Sequence, residues 1–101
     1  MEGEMKGQVS QETIEKWKKQ HGEVFAVTVD NSICYLKKPN RQTLSAMSQL
    51  SNDPIRSAEF LLNNCWLDGD KAIKEDDEMF LGVVSQLGDL VKVKAAKLEK
   101  L

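Results

Sequence analysis

The chain has few residues whose type and spacing are suited to catalysis. His21 is the only histidine, so no second imidazole is present to share a metal ion or a proton. It directly precedes Gly22, a position typical of a helix C-terminus, where a protonated imidazole interacts favourably with the helix dipole. The serines are isolated hydroxyls with no histidine nearby in sequence, so nucleophilic catalysis is not indicated. We therefore expect a protein that is not an enzyme.

Two acidic segments are candidate cation sites. The run Glu75-Asp76-Asp77-Glu78 is the densest, but it lacks the alternating ligands and the central glycine of a calcium loop. Acids at the start of the last predicted helix, with lysines at its end, complement the helix dipole. The segment Asp68-Gly69-Asp70 is too short to identify a metal loop, and a turn explains it. We expect neither a metal ion nor a cofactor.

Composition restricts the partners and the compartment. The 101 residues carry a formal net charge of −2, whereas a nucleic-acid binder needs a basic face to displace counterions. Apolar runs fall short of the roughly 20 residues that a membrane span requires, and the polar N-terminus contains no signal-peptide core. The chain contains two cysteines, Cys34 and Cys65, which is enough for one disulfide. We instead expect a cytoplasmic protein in which both are reduced, buried, small hydrophobic residues.

Capping and turn residues divide the chain into a flexible N-terminal tail, residues 1–9, and a single α+β domain, residues 10–101. The order of elements is predicted to be α-β-β-α-α-α, with a short antiparallel hairpin packed against about four helices. The predicted elements are a helix after the Ser10 cap that ends at Gly22, strands over 24–29 and 33–36 joined by a turn at 30–32, and helices that begin after Asn40, after Asp53 and at Asp76 or Asp77.

Two of the helices carry broad apolar faces. The helix after Asp53 has apolar residues through Trp66 at helical spacing, which predicts a core helix. The last helix is expected to reach the C-terminus, although Gly82 and Gly88 weaken it by about 1 kcal/mol each. Its near-heptad stripe suits either the core or a contact with another chain. The residues predicted to contact a partner are Phe80, Val84, Leu87 and Val91, with Tyr35 and Lys37 as outlying contacts.

One resemblance extends over roughly residues 23–101. Small phage and prophage tail assembly chaperones often have an aromatic and basic strand that ends in Pro-x-Arg, then a helix, then a second helix that ends in a Leu-Leu-x-x-Cys-like segment before an acidic loop. The present chain is similar to them at Tyr35-Leu36-Lys37-Lys38-Pro39-Asn40-Arg41, at Leu44, at Asp53-Pro54 and at Leu61-Leu62-Asn63-Asn64-Cys65-Trp66-Leu67, with Asp68-Gly69-Asp70 at the loop.

The resemblance implies a non-enzymatic role in the cytoplasm of a bacterial host. Such chaperones bind the long, hydrophobic tape measure protein and keep it soluble until tail-tube subunits polymerise around it. A small acidic protein with spare apolar surface is compatible with that role. The alternative is a homodimeric structural or regulatory module whose C-terminal helix forms the seam between two copies.

Overall fold

The computed structural model describes residues 5–87 and 96–101 of the chain. In these residues a three-stranded antiparallel sheet of order β1-β2-β3 packs with five helices, so the predicted α+β class is confirmed. In chain order the elements are α1 (Gln11–His21), β1 (Val24–Val29), β2 (Ser32–Lys37), α2 (Arg41–Ser48), α3 (Pro54–Cys65), β3 (Trp66–Gly69), α4 (Ala72–Glu75) and α5 (Asp77–Leu87).

Local capping signals determine where most of the helices begin. The side chains of Ser10, Asn40 and Asp53 each accept a hydrogen bond from the backbone N–H three residues further on, at 3.2, 2.8 and 3.1 Å. Pro54 occupies the first turn of α3, where its missing N–H leaves no hydrogen bond unmade. Gly22 ends α1 with a φ of 85°, a conformation that glycine adopts without strain. These predicted boundaries are confirmed.

The helix after Asp53 was predicted to include Trp66 and to end at the turn 68–70, but α3 ends at Cys65. Trp66 has an extended backbone, with φ −65° and ψ 125°, and it begins β3 by pairing with Leu36. Asp68 and Gly69, predicted to form a turn, are therefore strand residues. A side chain at Gly69 would overlap Cys34, since an added Cβ would lie 2.6 Å from its Cα. This close approach explains a glycine inside a strand.

Both ends of the described chain differ from the prediction. Residues 5–9, placed in the predicted flexible tail, lie against the sheet: the N–H of Lys6 donates to the carbonyl of Asn31 at 2.8 Å, and the N–H of Ile33 donates to the carbonyl of Lys6 at 2.9 Å. At the other end α5 is described as far as Leu87, and residues 96–101 have no regular secondary structure. The last helix therefore does not extend to the C-terminus.

Strand β2 lies at the centre of the sheet, and both of its faces are covered. Cys34 and Leu36 face a core formed with α3, α4 and α5. The alternate side chains point to the opposite face, where the ring of Tyr35 packs against that of Trp17 on α1, with centroids 5.5 Å apart. The fully or nearly buried core residues are Cys34, Leu36, Leu61, Leu62, Cys65, Ile73, Val83 and Leu87.

Candidate binding groove

The predicted partner contacts lie mainly in the core of the chain itself. Tyr35 is 4% exposed, and its hydroxyl accepts a hydrogen bond from the N–H of Val9 at 3.3 Å. Leu87 is 3% exposed, and Phe80 and Val84 pack partly buried against the core. The apolar stripe of α5 therefore covers the sheet, which a hairpin with one additional strand requires for stability.

The two remaining predicted contacts differ in position. Lys37 is half-buried at the end of β2, and it borders a pocket whose other residues include Phe60 and Asn64 of α3 but none of α5. Val91 lies outside the described residues. Tyr35, Lys37 and the α5 residues consequently do not form one continuous surface, and the structure directs attention to a different apolar region.

An open, mainly apolar groove lies between α2 and α3. It has a volume of 360 Å³, and Leu87 of α5 also contributes to its lining. None of its lining side chains is charged. The lining residues come from α2, from the connection that follows it, from the first turns of α3 and from the end of α5: Met47, Ser51, Pro54, Ser57, Ala58, Leu61 and Leu87.

The sequence of α3 explains why this groove exists. Pro54, Ser57, Ala58 and Leu61 recur at i, i+3, i+4 and i+7, so they share one face of the helix. The two central side chains on this face are small and leave space above it, while Leu61 is buried at its base. Tight backbone turns after α2, such as the 2.9 Å bond from the N–H of Leu50 to the carbonyl of Met47, set α2 beside α3.

Exposed apolar side chains lie next to the groove in the chain. Leu44, one turn before Met47, is 36% exposed, and Ile55, directly after Pro54, is 50% exposed. Helix α2 buries none of its residues. Part of the apolar surface of α2 and α3 is therefore exposed rather than buried in the core, whereas the apolar stripe of α5 packs against the core. An open apolar groove between two helices is one of the surfaces on which proteins bind an amphipathic helix of a partner.

Ionisable groups with shifted pKa values lie elsewhere and have structural causes. Burial raises the pKa of the Cys34 thiol to about 11, and burial also raises the pKa of Cys65. The pKa of Asp70 is lowered, first by the hydroxyl of Ser32, which donates to its carboxylate at 2.6 Å, and then by the N–H of Ala72 at 3.0 Å. None of these groups lines the groove, so the groove offers shape and apolar contact rather than acid–base chemistry.

The cysteines match their prediction, since Cys34 and Cys65 are both buried and unpaired. Within residues 5–87 and 96–101, no cluster of three or more His, Cys, Asp or Glu side chains is suited to holding a metal ion. Asp70, at the end of the predicted acidic turn, instead ties the hairpin to the chain that enters α4.

Comparison of the chain with protein-family models, with curated proteins and with solved structures gave no match. In the part of the chain that the structure describes, no helix has both the length and the apolar character needed to cross a membrane.

The sequence interpretation missed the groove because its signal is weak. The partner contacts were predicted mainly at large apolar side chains, and large apolar side chains are the ones most often buried in the core of their own chain. The available signal was the pair Ser57 and Ala58 between Pro54 and Leu61, small residues on a helix face that also continues into the core.

Proposed function

We propose that the chain is a non-enzymatic binding protein that holds an apolar helix of a protein partner in the groove between α2 and α3. The observation that carries this proposal is the uncharged, mainly apolar lining of the groove. The exposed Leu44 and Ile55, close in the chain to the lining residues Met47 and Pro54, add apolar surface on the same two helices. An amphipathic helix bound in a groove inserts side chains at i, i+3, i+4 and i+7, and these replace water on both apolar surfaces.

The sequence resemblance supplies the class of partner. A tape measure protein presents long hydrophobic helices, and a tail assembly chaperone in a bacterial host cytoplasm covers them until the tail tube forms. An open groove without charged lining suits this task, because it selects apolar helices by shape and hydrophobicity rather than by a specific polar pattern. Charged residues make up 30% of the chain, which helps to keep a complex with an apolar client in solution.

The alternative, a dimer joined through the C-terminal helix, is less well supported. Within α5, Val83 and Leu87 are buried in the core of the same chain. If these side chains instead contacted a second chain, α5 would have to move and would no longer cover the sheet of its own chain. The groove requires no such rearrangement.

The test is binding of a fluorescent peptide that carries one amphipathic helix of a tape measure protein. Ser57→Lys places an ammonium group in the groove, and we expect affinity to fall by tenfold or more, about 1.4 kcal/mol. Asn63→Lys adds the same charge to an exposed site on the same helix and is expected to bind like the wild type. Circular dichroism of both variants checks that α3 is intact.

Two results would count against the proposal. One is the absence of binding by the wild-type chain at about 100 µM peptide, where even a weak groove complex should be populated. The other is an equal loss of affinity in the Ser57→Lys and Asn63→Lys variants, because a general charge effect would then explain both.

A further inference from the structure

Strand β1 is an outer strand of the sheet and lacks the features that usually protect such an edge. Its six residues, Val24–Val29, have the sequence VFAVTV, without charge, proline or glycine. The opposite outer strand, β3, has four residues, includes Asp68 and Gly69, and pairs with a register irregularity at Tyr35/Leu36. Short length, charge and bulges are the devices by which proteins prevent edge-to-edge pairing. Only β3 has them.

Hydrogen bonds elsewhere in the sheet show which groups of β1 point outward. The N–H of Ile33 donates to the carbonyl of Lys6 at 2.9 Å, and the carbonyl of Ile33 accepts from the N–H of Asp70 at 3.1 Å. Both backbone groups of Ile33 therefore point away from β1. Thr28 is the residue directly opposite Ile33, so its N–H and carbonyl point away from β2.

The same orientation repeats at every second residue of an antiparallel strand. Val24, Ala26 and Thr28 thus present three N–H groups and three carbonyls to the outer edge. Among residues 5–87 and 96–101, none of these groups has a backbone hydrogen-bond partner outside the sheet. An open cleft of 270 Å³ follows this edge, lined by residues 26–29 together with Gly82 and Gln86 of α5. The side chains of Ala26 and Thr28 are exposed.

We propose that β1 pairs with β1 of a second copy of the chain, antiparallel, about a twofold axis at Ala26. In this register Ala26 lies opposite Ala26 of the second copy, and Val24 lies opposite Thr28. The outward groups then form six backbone hydrogen bonds, and the two sheets join into one of six strands.

The occupant is a second copy because the edge is complementary to itself. The three outward residues are placed symmetrically around Ala26, so each N–H meets a carbonyl of the same set. A twofold axis brings identical side chains together, and charged residues there would repel one another. Residues 24–29 carry no charge. The edge shares no residue with the groove, so this inference stands independently of the proposed function.

Sedimentation of the full chain between about 1 and 200 µM tests for association by its dependence on concentration. We expect the wild type to dimerise. Ala26→Lys sets two ammonium groups opposite each other, about 5.5 Å apart between Cα atoms, and should weaken the dimer at least tenfold, as should Ala26→Glu. An equimolar mixture of the two variants should associate again. Gln20→Lys, at an exposed site on α1, is the matched control.

Three results would overturn the proposal: a wild type that stays monomeric at the highest concentration, an Ala26→Lys variant that dimerises as tightly as the wild type, or a mixture that associates no better than either variant alone. The last two results would indicate a different interface. A partner with an extended segment would be indicated if β1 bound peptides while the chain itself remained monomeric.

Amide hydrogen exchange of the wild type gives a second measurement that requires no variant. The N–H groups of Ala26 and Thr28 should be protected in concentrated protein and exchange at least tenfold faster after dilution. The N–H of Val27, which points toward β2 in this register, should stay protected under both conditions. Rapid exchange of Ala26 and Thr28 in a sample whose mass is dimeric would refute pairing through β1.

Discussion

A pair of leucines on α5 tests which face of this helix holds the fold together. Leu87 is 3% exposed and lies in the core, whereas Leu81 on the same helix is 52% exposed. Both can be replaced by alanine, so the chemical change and the change in helix propensity are the same. The structure predicts a large loss of stability for Leu87→Ala and a small one for Leu81→Ala.

The magnitudes follow from burial. Leucine to alanine removes three carbon atoms, worth about 2.4 kcal/mol at ~0.8 kcal/mol per buried methylene. The cavity left at Leu87 raises the cost to about 3–4 kcal/mol. At Leu81 half of the side chain already contacts water, no closed cavity forms and alanine favours the helix slightly, so the cost is about 1 kcal/mol or less.

Urea unfolding followed by circular dichroism measures both costs. With a denaturant slope of about 1.5 kcal/mol/M, Leu87→Ala should lower the unfolding midpoint by about 2–2.7 M and Leu81→Ala by less than about 0.7 M. An equal shift in the two variants, or a larger shift for Leu81→Ala, would refute the assignment of the inward face of α5. It would restore the α5 stripe as a candidate surface for a partner.

Three further predictions concern the sheet and its supports. Gly69→Ala should destabilise the fold by more than Gly22→Ala in thermal unfolding, because both glycines have positive φ but only Gly69 would bring a Cβ against Cys34; equal losses would contradict the close approach. The pKa of Asp70 is lowered in the folded chain, first by its hydrogen bond from Ser32. This hydrogen bond therefore stabilises the fold fully at a pH above the ordinary pKa of an aspartate, and the stabilisation is lost as the pH falls through the lowered pKa. The stability difference between wild type and Ser32→Ala should therefore be larger at neutral pH than in strong acid, and a difference independent of pH would contradict it. Because burial raises the pKa of Cys34 to about 11, a thiol reagent at mildly alkaline pH should modify the cysteines rapidly only in urea; rapid modification of the native chain would contradict their burial.

Local signals in the sequence accounted for much of the fold. The caps at Ser10, Asn40 and Asp53, and the turn between the first two strands, act within a few residues, so the pattern alone indicates them. Asp30, at that turn, has a φ of 54°, in the positive range that tight hairpin turns demand.

The missed elements depend on contacts distant in sequence. Residues 66–69 form β3 because they pair with β2 on the side opposite β1. Local propensity does not favour a strand that contains Asp68 and Gly69. Residues 5–9 are held in the same way, through hydrogen bonds of Lys6 to Asn31 and Ile33. Such pairings are decided by the assembled sheet, which the sequence pattern does not display.

The candidate site, like the fold, could be predicted from the sequence only in part. Apolar spacing predicted α3 as a core helix and left α5 as either core or a contact with another chain, so it did not indicate that a face of α3 would line a groove. The sheet needs a cover, and α5 supplies it with Val83 and Leu87. The surface left over lies where Ser57 and Ala58 are too small to fill the space between α2 and α3.

The most direct test of the central claim is to locate the contact on the chain itself. Titration of the isotopically labelled full chain with a helical tape measure peptide, followed by nuclear magnetic resonance, reports the affected amides. The groove proposal predicts that the largest shift changes cluster at Met47, Ser51, Ser57 and Ala58, with small changes along β1. No change during the titration, or changes confined to residues outside the groove, would contradict the claim that the groove between α2 and α3 binds an apolar helix.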